Sequence, residues 1–420
     1  MKVTEMTAPT PIQLCRVFAR IGVLSFGGPA AQIALMHRTL VEENKWLSED
    51  VFLRALSLCM LLPGPEAMQL ATYAGWRLHG VRGGLIAGLL FVLPGAVVIP
   101  ALALIYATFG QVPLVQAAFT GVKAAVIVIV LQALVKVSDK ALTSKGAWAL
   151  AGAAFVSLYF LSVPYPIIIA SAATVGAVAM KTTEPQVIDA KPKATNPIST
   201  LLIWGVLWSC PIILLTLIDH TFLMQIALFF SKLAIVTFGG AYAVLAYMTQ
   251  TVVADYGWIT TGQMMDALGL AETTPGPLIL VTQFVAMIAG FNESGPLLAL
   301  AAGAVALWVT FTPCFLWIFL AGPYLDVIAN RPRVSAALRA ITAAVVGVIL
   351  NLAVWFSIHV LFAQVTTLPG LQAPAPVLTS LDFKALGLTV LAAVILLLLK
   401  RGIAETLGIL ALAGLGLSLL

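Results

Sequence analysis

Two basic side chains, Arg20 and Lys232, are the first residues in this sequence whose type and spacing suggest chemistry. They occupy equivalent places in an internal repeat, because SFGGPAAQIALMHRTLVEENKW (25–46) aligns without a gap with TFGGAYAVLAYMTQTVVADYGW (237–258) at an offset of 212 residues. Each cation lies shortly before an FGG tripeptide. Two repeat-related cations suit the binding of a small dianion. The alternative is that each side chain extends to a membrane interface or pairs with a carboxylate.

The composition places these residues in a membrane. The 420-residue chain is 61% hydrophobic and 9% charged, whereas about 25% of the residues in a typical soluble domain are charged. Apolar runs of about 20 residues, the length that crosses a bilayer, recur along almost the whole chain. We therefore expect an integral membrane protein in contact with the lipid bilayer, without a separate soluble domain. Its net charge of +5 concerns loop orientation and does not indicate nucleic-acid binding.

Glycine and polar residues around the two FGG motifs are further candidates for ligand contact. Glycine lets a backbone approach a ligand closely and present its N–H groups, and hydroxyl and amide side chains can donate to oxyanion oxygens. Close packing of membrane helices is the alternative role for a glycine pair. The predicted substrate-binding residues are Arg20, Ser25, Gly27, Gly28, Gln32, Lys232, Thr237, Gly239, Gly240, Thr273 and Thr274.

A second repeated motif, PGP, follows each FGG. LLPGPEAMQL (61–70) matches TTPGPLILVT (273–282) at the same offset. Glycine in a helix interior costs about 1 kcal/mol and proline more, and broken backbone at membrane depth needs protein or a water-filled cavity around it. We predict four helix-break-helix elements whose tips meet near the membrane midplane, at 12–45, 46–79, 221–253 and 258–290. The predicted breaking and gating residues are Pro29, Pro63, Gly64, Pro65, Pro275, Gly276 and Pro277.

Two carboxylates lie beside the PGP motifs. Glu66 directly follows the first motif, and Glu272 precedes the second by three residues. A carboxylate at membrane depth is a candidate for taking up a proton and coupling its movement to an anion. The alternative is a structural hydrogen bond or ion pair, for example between Glu66 and Arg20. Neither carboxylate is repeated, since Leu278 and Met60 occupy the equivalent positions, and the two halves are therefore not expected to be functionally equivalent.

The repeat and a polar segment divide the chain. We predict a first membrane repeat at 1–180, a cytoplasmic linker at 181–198, a connecting transmembrane helix at 199–220 and a second membrane repeat at 221–420. After each PGP the hydropathy predicts four long apolar segments in the same order, at 83–110, 114–137, 141–162 and 164–180, and at 296–320, 334–362, 383–400 and 403–420. The extra crossing between the copies inverts the second one.

Basic loops support this inversion, because cytoplasmic loops are enriched in Lys and Arg. Bases cluster at 77–82 and 136–145 in the first copy, but one loop later, at 331–339 and 400–401, in the second. The 363–382 loop contains no base. We therefore predict an all-α polytopic membrane fold of two inverted-topology repeats with broken or re-entrant helices, with the N-terminus in the cytoplasm and the C-terminus in the periplasm. Such repeats are typical of secondary transporters, whose binding site lies between them.

The motifs resemble a known family. SFGGPAAQIALMHRTLVEENKW, MLLPGPEAMQLATYAGW with LLFVLPG, and the second pair TFGGAYAVL and TTPGP are similar to the long, two-domain members of the chromate ion transporter family, from about residue 12 to the C-terminus. The resemblance implies export of chromate from the bacterial cytoplasm across the inner membrane, linked to the proton motive force and conferring chromate resistance. Some relatives are associated with sulfate, so a sulfate-type oxyanion transporter is an alternative.

Other classes of protein fit the sequence less well. It contains no HExxH motif and no nucleophile paired with a base, so we do not expect an enzyme, and no GxxxxGK[ST] motif for ATP. Histidines and cysteines show no ligand spacing, so we expect no metal and no cofactor. A passive anion channel remains an alternative, because broken helices also build selectivity filters. Whether the chain forms a homodimer is left open.

Overall fold

The computed structural model describes residues 9–26, 28–179, 196–238, 241–324, 332–368 and 373–419. These residues form fifteen α-helices. In chain order they are α1 (Pro11–Leu24), α2 (Gly28–His37), α3 (Glu49–Leu61), α4 (Glu66–Phe109), α5 (Pro113–Ala141), α6 (Lys145–Tyr159), α7 (Tyr165–Ala179), α8 (Pro197–Leu217), α9 (Thr221–Val236), α10 (Ala241–Thr249), α11 (Thr261–Thr273), α12 (Val281–Ala321), α13 (Pro332–Leu361), α14 (Phe383–Ala393) and α15 (Ile403–Ser418).

Five stretches of helix in the described residues are long and apolar enough to cross a membrane. They are α4, α5, α8, α13 and the stretch Leu278–Tyr324, which comprises α12 and its two flanking 3₁₀ turns. Four shorter apolar helices accompany them. Only 6% of the apolar window of α8 is buried inside the protein, as expected for a helix that faces lipid. The predicted all-α polytopic membrane fold is confirmed.

Polar side chains cap the N-termini of several helices. At α1, the Thr10 hydroxyl accepts from the Gln13 backbone, and the Gln13 side chain accepts from the Thr10 N–H. Such a capping box satisfies two backbone donors that the helix leaves free. Ser48 caps α3 and Asp382 caps α14 in the simpler one-sided manner. These caps fix where the helices begin beside the breaks and loops.

The internal repeat extends to irregular backbone. A turn of π-helix ends the first phrase at Arg38–Glu43 and the second at Gln250–Asp255, which are equivalent positions. The backbone after each π turn reaches a positive φ, 53° at Lys45 and 64° at Gly257. Irregular turns of this kind are rare in helices, so their recurrence at the same repeat positions supports the duplication that the sequence predicts.

Two long helices carry a sharp kink. Non-helical torsions interrupt α4 at His79 and Gly80, and α12 at Ser294 and Gly295. The sequence analysis ends a helix-break-helix element at 79 and at 290 and begins a new apolar segment a few residues later. The structure agrees with this division: the backbone leaves the helical conformation between the predicted segments, and glycine adopts the positive φ of each turn. The chain turns back there, since a Cβ at Gly75 would lie 2.2 Å from the carbonyl oxygen of Gly83.

The 363–382 loop contains a small sheet that the sequence did not predict. Strand β1 (Val365–Thr367) pairs antiparallel with β2 (Pro374–Pro376), and a 3₁₀ turn follows at Leu378–Ser380. Short 3₁₀ turns also flank α12, at Leu278–Leu280 and Gly322–Tyr324, and a π turn at Val394–Leu398 extends α14. Most of the predicted linker, 180–195, lies outside the described residues.

Compactness divides the chain into two units, and each takes segments from both predicted repeats. The first unit contains Met1–Leu104, Pro185–Ala241 and Thr274–Arg331, and the second contains Ile105–Glu184, Tyr242–Thr273 and Pro332–Leu420. In the first unit, α8 and α9 pack against α12. In the second unit, α5 and α13 form the centre, and α6, α7, α11, α14 and α15 pack around them.

Close backbone contact holds the centre of the second unit together. A Cβ at Gly121 of α5 would lie 1.8 Å from the carbonyl oxygen of Leu410, and one at Gly414 of α15 would lie 2.3 Å from that of Ala117. Glycine on both helices therefore lets α5 and α15 approach until their backbones touch, as membrane helices with small interface residues do.

Candidate functional site

The FGG and PGP breaks of the two repeats are joined reciprocally in the first unit. The N–H of Gly276 donates to the carbonyl oxygen of Ser25 at 2.9 Å, and the N–H of Gly64 donates to that of Thr237, also at 2.9 Å. Ser25 and Thr237 occupy equivalent repeat positions, as do the two glycines. The predicted meeting of the break tips is thus observed, and it pairs the FGG end of each repeat with the PGP end of the other.

Backbone conformation explains why glycine occupies both PGP centres. Gly64 has φ 122° and Gly276 has φ 88°, values that residues with a side chain rarely adopt. Space is also short, since a Cβ at Gly64 would lie 2.8 Å from Gln69 Nε2 and 3.0 Å from Cys314 Sγ. On the other side, Gly95 of α4 leaves room for the carbonyl of Pro275. The breaks are therefore packed in protein, as broken backbone at membrane depth requires.

Two buried glutamines satisfy carbonyl groups that the breaks expose. Gln32 Nε2 donates to the carbonyl oxygen of Gly276 at 2.7 Å, and Gln69 Nε2 donates to that of Pro63 at 2.7 Å. Gln32 is 1% exposed and Gln69 is fully buried. In both residues the Oε1 atom is buried without a hydrogen-bond partner among the described residues. Gln32 was predicted to contact substrate; here its amide nitrogen donates to the protein.

The hydroxyl groups predicted to donate to an oxyanion donate to their own helices in this conformation. Ser25 Oγ donates to Ile21 O at 2.6 Å, and Thr237 Oγ1 donates to the equivalent carbonyl, that of Leu233. Thr273 Oγ1 donates to Leu270 O at 2.8 Å. Hydroxyls that bond back to the preceding turn still offer lone pairs, but their protons are occupied. Their role in substrate binding stays a prediction.

The remaining break residues are only partly described. Gly27, Gly239 and Gly240 lie outside the described residues. Gly28 opens α2 with φ 76° and is buried, and Pro29 follows it as the second residue of that helix. The first PGP lies between α3 and α4, and the second lies between α11 and the 3₁₀ turn before α12, as the sequence predicted. The other proline and threonine residues of these breaks are buried or half-buried, namely Pro63, Pro65, Thr274, Pro275 and Pro277.

Arg20 and Lys232 lie on α1 and α9, in the last two turns before the FGG breaks. Both side chains are exposed on the surface of the protein. The sequence indicates which turn carries each cation but not which face of that turn other helices cover. Their proposed pairing with a dianion is a separate matter and stays a prediction.

The two predicted proton carriers differ in surroundings. Glu66, in the first unit, is half-buried as the first residue of α4, where the positive end of the helix dipole favours a carboxylate. No ion pair joins it to Arg20 in the described part of the chain. Glu272, in the second unit, is 3% exposed; its Oε1 accepts from the Tyr242 hydroxyl at 2.9 Å. Its Oε2 is buried without a hydrogen-bond partner among the described residues.

Sequence reasoning missed a buried charged cluster in the second unit. Lys123 Nζ lies 2.9 Å from Asp266 Oδ1, and the Tyr106 hydroxyl donates to Asp266 Oδ2 at 2.6 Å. The available signal was weak: a single charge interrupts the long apolar run of α5, and another interrupts α11. An ionisable residue in an apolar helix is a candidate functional residue even without an FGG or PGP motif beside it.

Together, these features define an all-α polytopic membrane protein whose duplicated, broken helices interlock at their breaks. The family model described as "Chromate transporter" matches residues 12–177 and 224–417. The chain therefore belongs to the chromate transporter family. The match spans both repeats, and the residues between its two parts include the predicted linker and α8.

Named relatives cover most of the chain. A probable chromate transport protein of Synechococcus elongatus is 32% identical over 367 residues, which are 86% of this chain and 88% of that protein. A chromate transport protein of Cupriavidus metallidurans is 30% identical over 365 residues, 82% of each chain. The corresponding protein of Pseudomonas aeruginosa is 32% identical over 365 residues, again 82% of each chain. No solved structure is significantly similar.

Proposed function

We propose that this protein is a secondary transporter that exports chromate, a divalent tetrahedral oxyanion, across the bacterial inner membrane. The observation that carries the proposal is the family match over both repeats, together with relatives of nearly full coverage that are named chromate transport proteins. These relatives are transporters by name, and nothing in the chain's motifs favours catalysis. The proposed energy source is the proton motive force, mainly through its membrane-potential component.

The interlocked breaks support a carrier mechanism. In a carrier, access alternates between two sides around a fixed site, and half-helix ends face the substrate. Here each break is hydrogen-bonded to a break of the other repeat through Ser25 and Gly276, and through Thr237 and Gly64. A movement of one repeat must therefore shift or release a backbone contact of the other. We propose that the proline and glycine residues of both motifs are the points at which this movement occurs.

The proposed substrate groups are the two cations and the polar residues of the FGG breaks. Arg20 and Lys232 supply two positive charges for a dianion, and other helices do not cover either side chain. Binding would require the hydroxyls of Ser25 and Thr237 to turn from their own helices towards the anion, which a hydroxyl achieves by rotation about one bond. The backbone N–H groups beside the glycines add further donors.

Glu66 and Glu272 are the carboxylates that we propose for proton coupling. The support is clearest for Glu272, because its second oxygen is buried without a partner among the described residues. A buried carboxylate with an unsatisfied oxygen is costly unless that oxygen carries a proton. Glu66 is less enclosed, and we propose that it modulates the pH dependence of transport.

Transport into proteoliposomes tests this function. Purified protein is reconstituted, and uptake of radiolabelled chromate and of radiolabelled sulfate is measured under imposed potentials and pH gradients. We expect chromate to be transported and sulfate to compete weakly; stronger transport of sulfate would identify the sulfate-type alternative. Preloading the vesicles with unlabelled chromate should accelerate uptake of the label, as counterflow in a carrier does. A channel gives no such acceleration. Uptake of both anions at the rate seen in vesicles without protein would contradict a transport function.

A further inference from the structure

The cluster formed by Lys123, Asp266 and Tyr106 lies wholly within the second unit. Asp266 is 1% exposed and Tyr106 is 6% exposed, while the Lys123 side chain is 14% exposed. The carboxylate is held at both oxygens, by the ammonium group at 2.9 Å and by the phenol at 2.6 Å. The cluster joins three helices, because side chains from two of them, Lys123 and Tyr106, converge on the carboxylate of a third, Asp266.

Helix packing holds the cluster in place. One turn after Asp266, a Cβ at Gly269 would lie 2.4 Å from Val122 Cγ1, so glycine allows α11 to approach α5 closely where Lys123 projects. The Tyr106 ring packs edge-on against Phe119 of the same α5, with ring centres 5.4 Å apart. The surroundings are therefore apolar, and the charged groups depend on one another.

Lys123 lies too far from the end of its helix for its ammonium group to extend to the membrane interface. It lies ten residues after the first residue of α5, Pro113, which corresponds to about 15 Å along the helix axis. The helix is one of the five apolar candidates for crossing the membrane. A lysine side chain extends to an interface only from near a helix end. Its positive charge is instead compensated inside the protein by Asp266.

Few other charged groups influence Asp266. Of the helices that pack against α11, α5 contributes Lys123, and the end of α4 contributes Tyr106. The described helix α15 also packs against α11. Its titratable residue Glu405 is exposed and pairs with Arg401, four residues earlier in the chain. The charge of the cluster is thus set by Asp266 and Lys123. It is neutral when Asp266 is ionised and carries one positive charge when Asp266 holds a proton.

The cluster belongs to one copy of the repeat. Arg54 occupies the position equivalent to Asp266, and there it pairs with Asp50 on the exposed surface of α3. Further along the chain, α5 aligns with α13 at an offset of 219 residues, and the position equivalent to Lys123 holds Thr342. A charged pair needed only to stabilise the duplicated fold would be expected in both copies. Its presence in one copy is consistent with a task that only one half performs.

We propose that Asp266 is a proton-binding site of the transport cycle, and that its protonation unmasks the positive charge of Lys123 for the transported anion. The neutral pair lets the empty protein change conformation without moving a net buried charge, which would be costly. After Asp266 takes up a proton, the cluster is cationic and favours a bound anion. Proton and anion are thereby coupled, with the proton travelling in the same direction as the anion. The inference rests on the proposed function, since it presupposes an anionic substrate.

Reciprocal linkage provides the test. If protonation raises anion affinity, anion binding must raise proton uptake by the same factor. Chromate is titrated into purified protein in two buffers of different ionisation enthalpy, and the difference in heat gives the protons taken up. We expect more proton uptake by the wild type than by Asp266→Asn, with Asp266→Glu restoring the difference. The protonation of chromate itself is the same for both proteins, so the difference between them reports Asp266.

The transport readout separates coupling from folding. Counterflow of the wild type should rise as the pH, equal on both sides, is lowered, whereas that of Asp266→Asn should depend less on pH. Lys123→Gln should reduce counterflow about tenfold, the loss expected for a charge-assisted interaction. Glu405→Gln removes an exposed carboxylate in the same unit and should behave as the wild type. Tyr106→Phe retains both charges and should shift the pH profile without abolishing it.

The outcomes are distinguishable. If the wild type neither binds nor transports chromate, the proposed function fails. If it transports chromate but Asp266→Asn keeps the wild-type proton uptake and pH profile, this inference fails. A purely structural ion pair is identified if Lys123→Gln with Asp266→Asn restores protein yield and the double variant retains the wild-type pH profile. If Asp266→Asn does not fold, the same comparison of proton uptake is made with Tyr106→Phe, and an unchanged pH profile overturns the inference.

Discussion

The backbone N–H of Gly64 donates to the carbonyl oxygen of Thr237 across 2.9 Å, and so ties the PGP break of the first repeat to the FGG break of the second. The repeat-equivalent bond joins Gly276 to Ser25 at the same distance. A helix break normally leaves backbone groups without partners. Here the duplication supplies them, because each copy provides the acceptor for the other copy's donor. Neither pair of breaks is satisfied without its counterpart.

We expect Gly64→Ala to destabilise the protein and to impair transport. The native φ of 122° disfavours a side chain, at a cost of about 1–3 kcal/mol. The added Cβ would also overlap Gln69 and Cys314. Thermal unfolding of the purified protein in detergent measures the loss.

Two glycine variants serve as controls for that experiment. Gly80→Ala has the same kind of conformational cost at φ 63°, but its Cβ meets nothing within 4 Å. Gly408→Ala, inside α15, has open space and no positive φ, so it should gain up to about 1 kcal/mol in helix propensity. The expected order of stability is Gly408→Ala, then Gly80→Ala, then Gly64→Ala. Equal stability of the last two would show that the crowding at the break is unimportant.

Replacing Arg20 or Lys232 by Gln should reduce transport at least about tenfold, because each removes one of the two positive charges proposed to bind a dianion. Arg16→Gln is the matched control, since Arg16 lies one turn earlier on the same helix and is also exposed. Protein yield in the membrane is measured alongside radiolabelled chromate uptake. Wild-type transport by both Arg20→Gln and Lys232→Gln would remove the cations from the site.

Local chemistry explains why the breaks were predictable. Gly and Pro change the backbone wherever they occur, so FGG and PGP indicate interruptions without knowledge of any neighbour. A helix ends just before each of the four motifs, at Leu24, Leu61, Val236 and Thr273. The repeat offset adds a second constraint, because an irregularity predicted in one copy is expected in the other. The π turns at Arg38–Glu43 and Gln250–Asp255 fit that offset, although no sequence motif predicts them.

Burial was less predictable, for a physical reason. In a soluble protein, polar residues mark the outer face of a helix, but lipid-facing and core-facing positions in a membrane protein are both apolar. The sequence therefore indicated the turn on which Arg20 lies but not that the side chain is exposed. Pairing was harder still. Lys123 and Asp266 are far apart in the chain, and no local pattern relates them before the helices pack.

The orientation of the termini is a further prediction. The shifted basic loops place the N-terminus and the linker in the cytoplasm, and the 363–382 loop and the C-terminus in the periplasm. A reporter that is active only in the periplasm should be active after Leu420 and inactive within the linker. The reverse pattern would invert the whole protein, and equal activity at both points would contradict the inversion of the second repeat.

The last prediction concerns the direction of transport. Moving one charge across the membrane is worth about 2.3 kcal/mol per 100 mV, so a dianion leaving a negative interior gains about 4.6 kcal/mol per 100 mV. If one proton leaves with it, the net charge moved is one and the gain is about 2.3 kcal/mol per 100 mV. Either value favours efflux. Uptake would have to overcome the same term and would need about three protons per anion to make the charge movement favourable.

We therefore expect vesicles loaded with chromate to lose it faster when their interior is negative than when they are depolarised. Glu66→Gln should flatten the response of efflux to pH more than its response to voltage, because the carboxylate is proposed to affect protonation and not the charge of the anion. Glu405→Gln, which removes an exposed carboxylate paired with Arg401, should leave both responses unchanged. Efflux that does not depend on the potential would mean that transport is electroneutral. In that case two protons would accompany each dianion, and Asp266 alone would not account for the coupling.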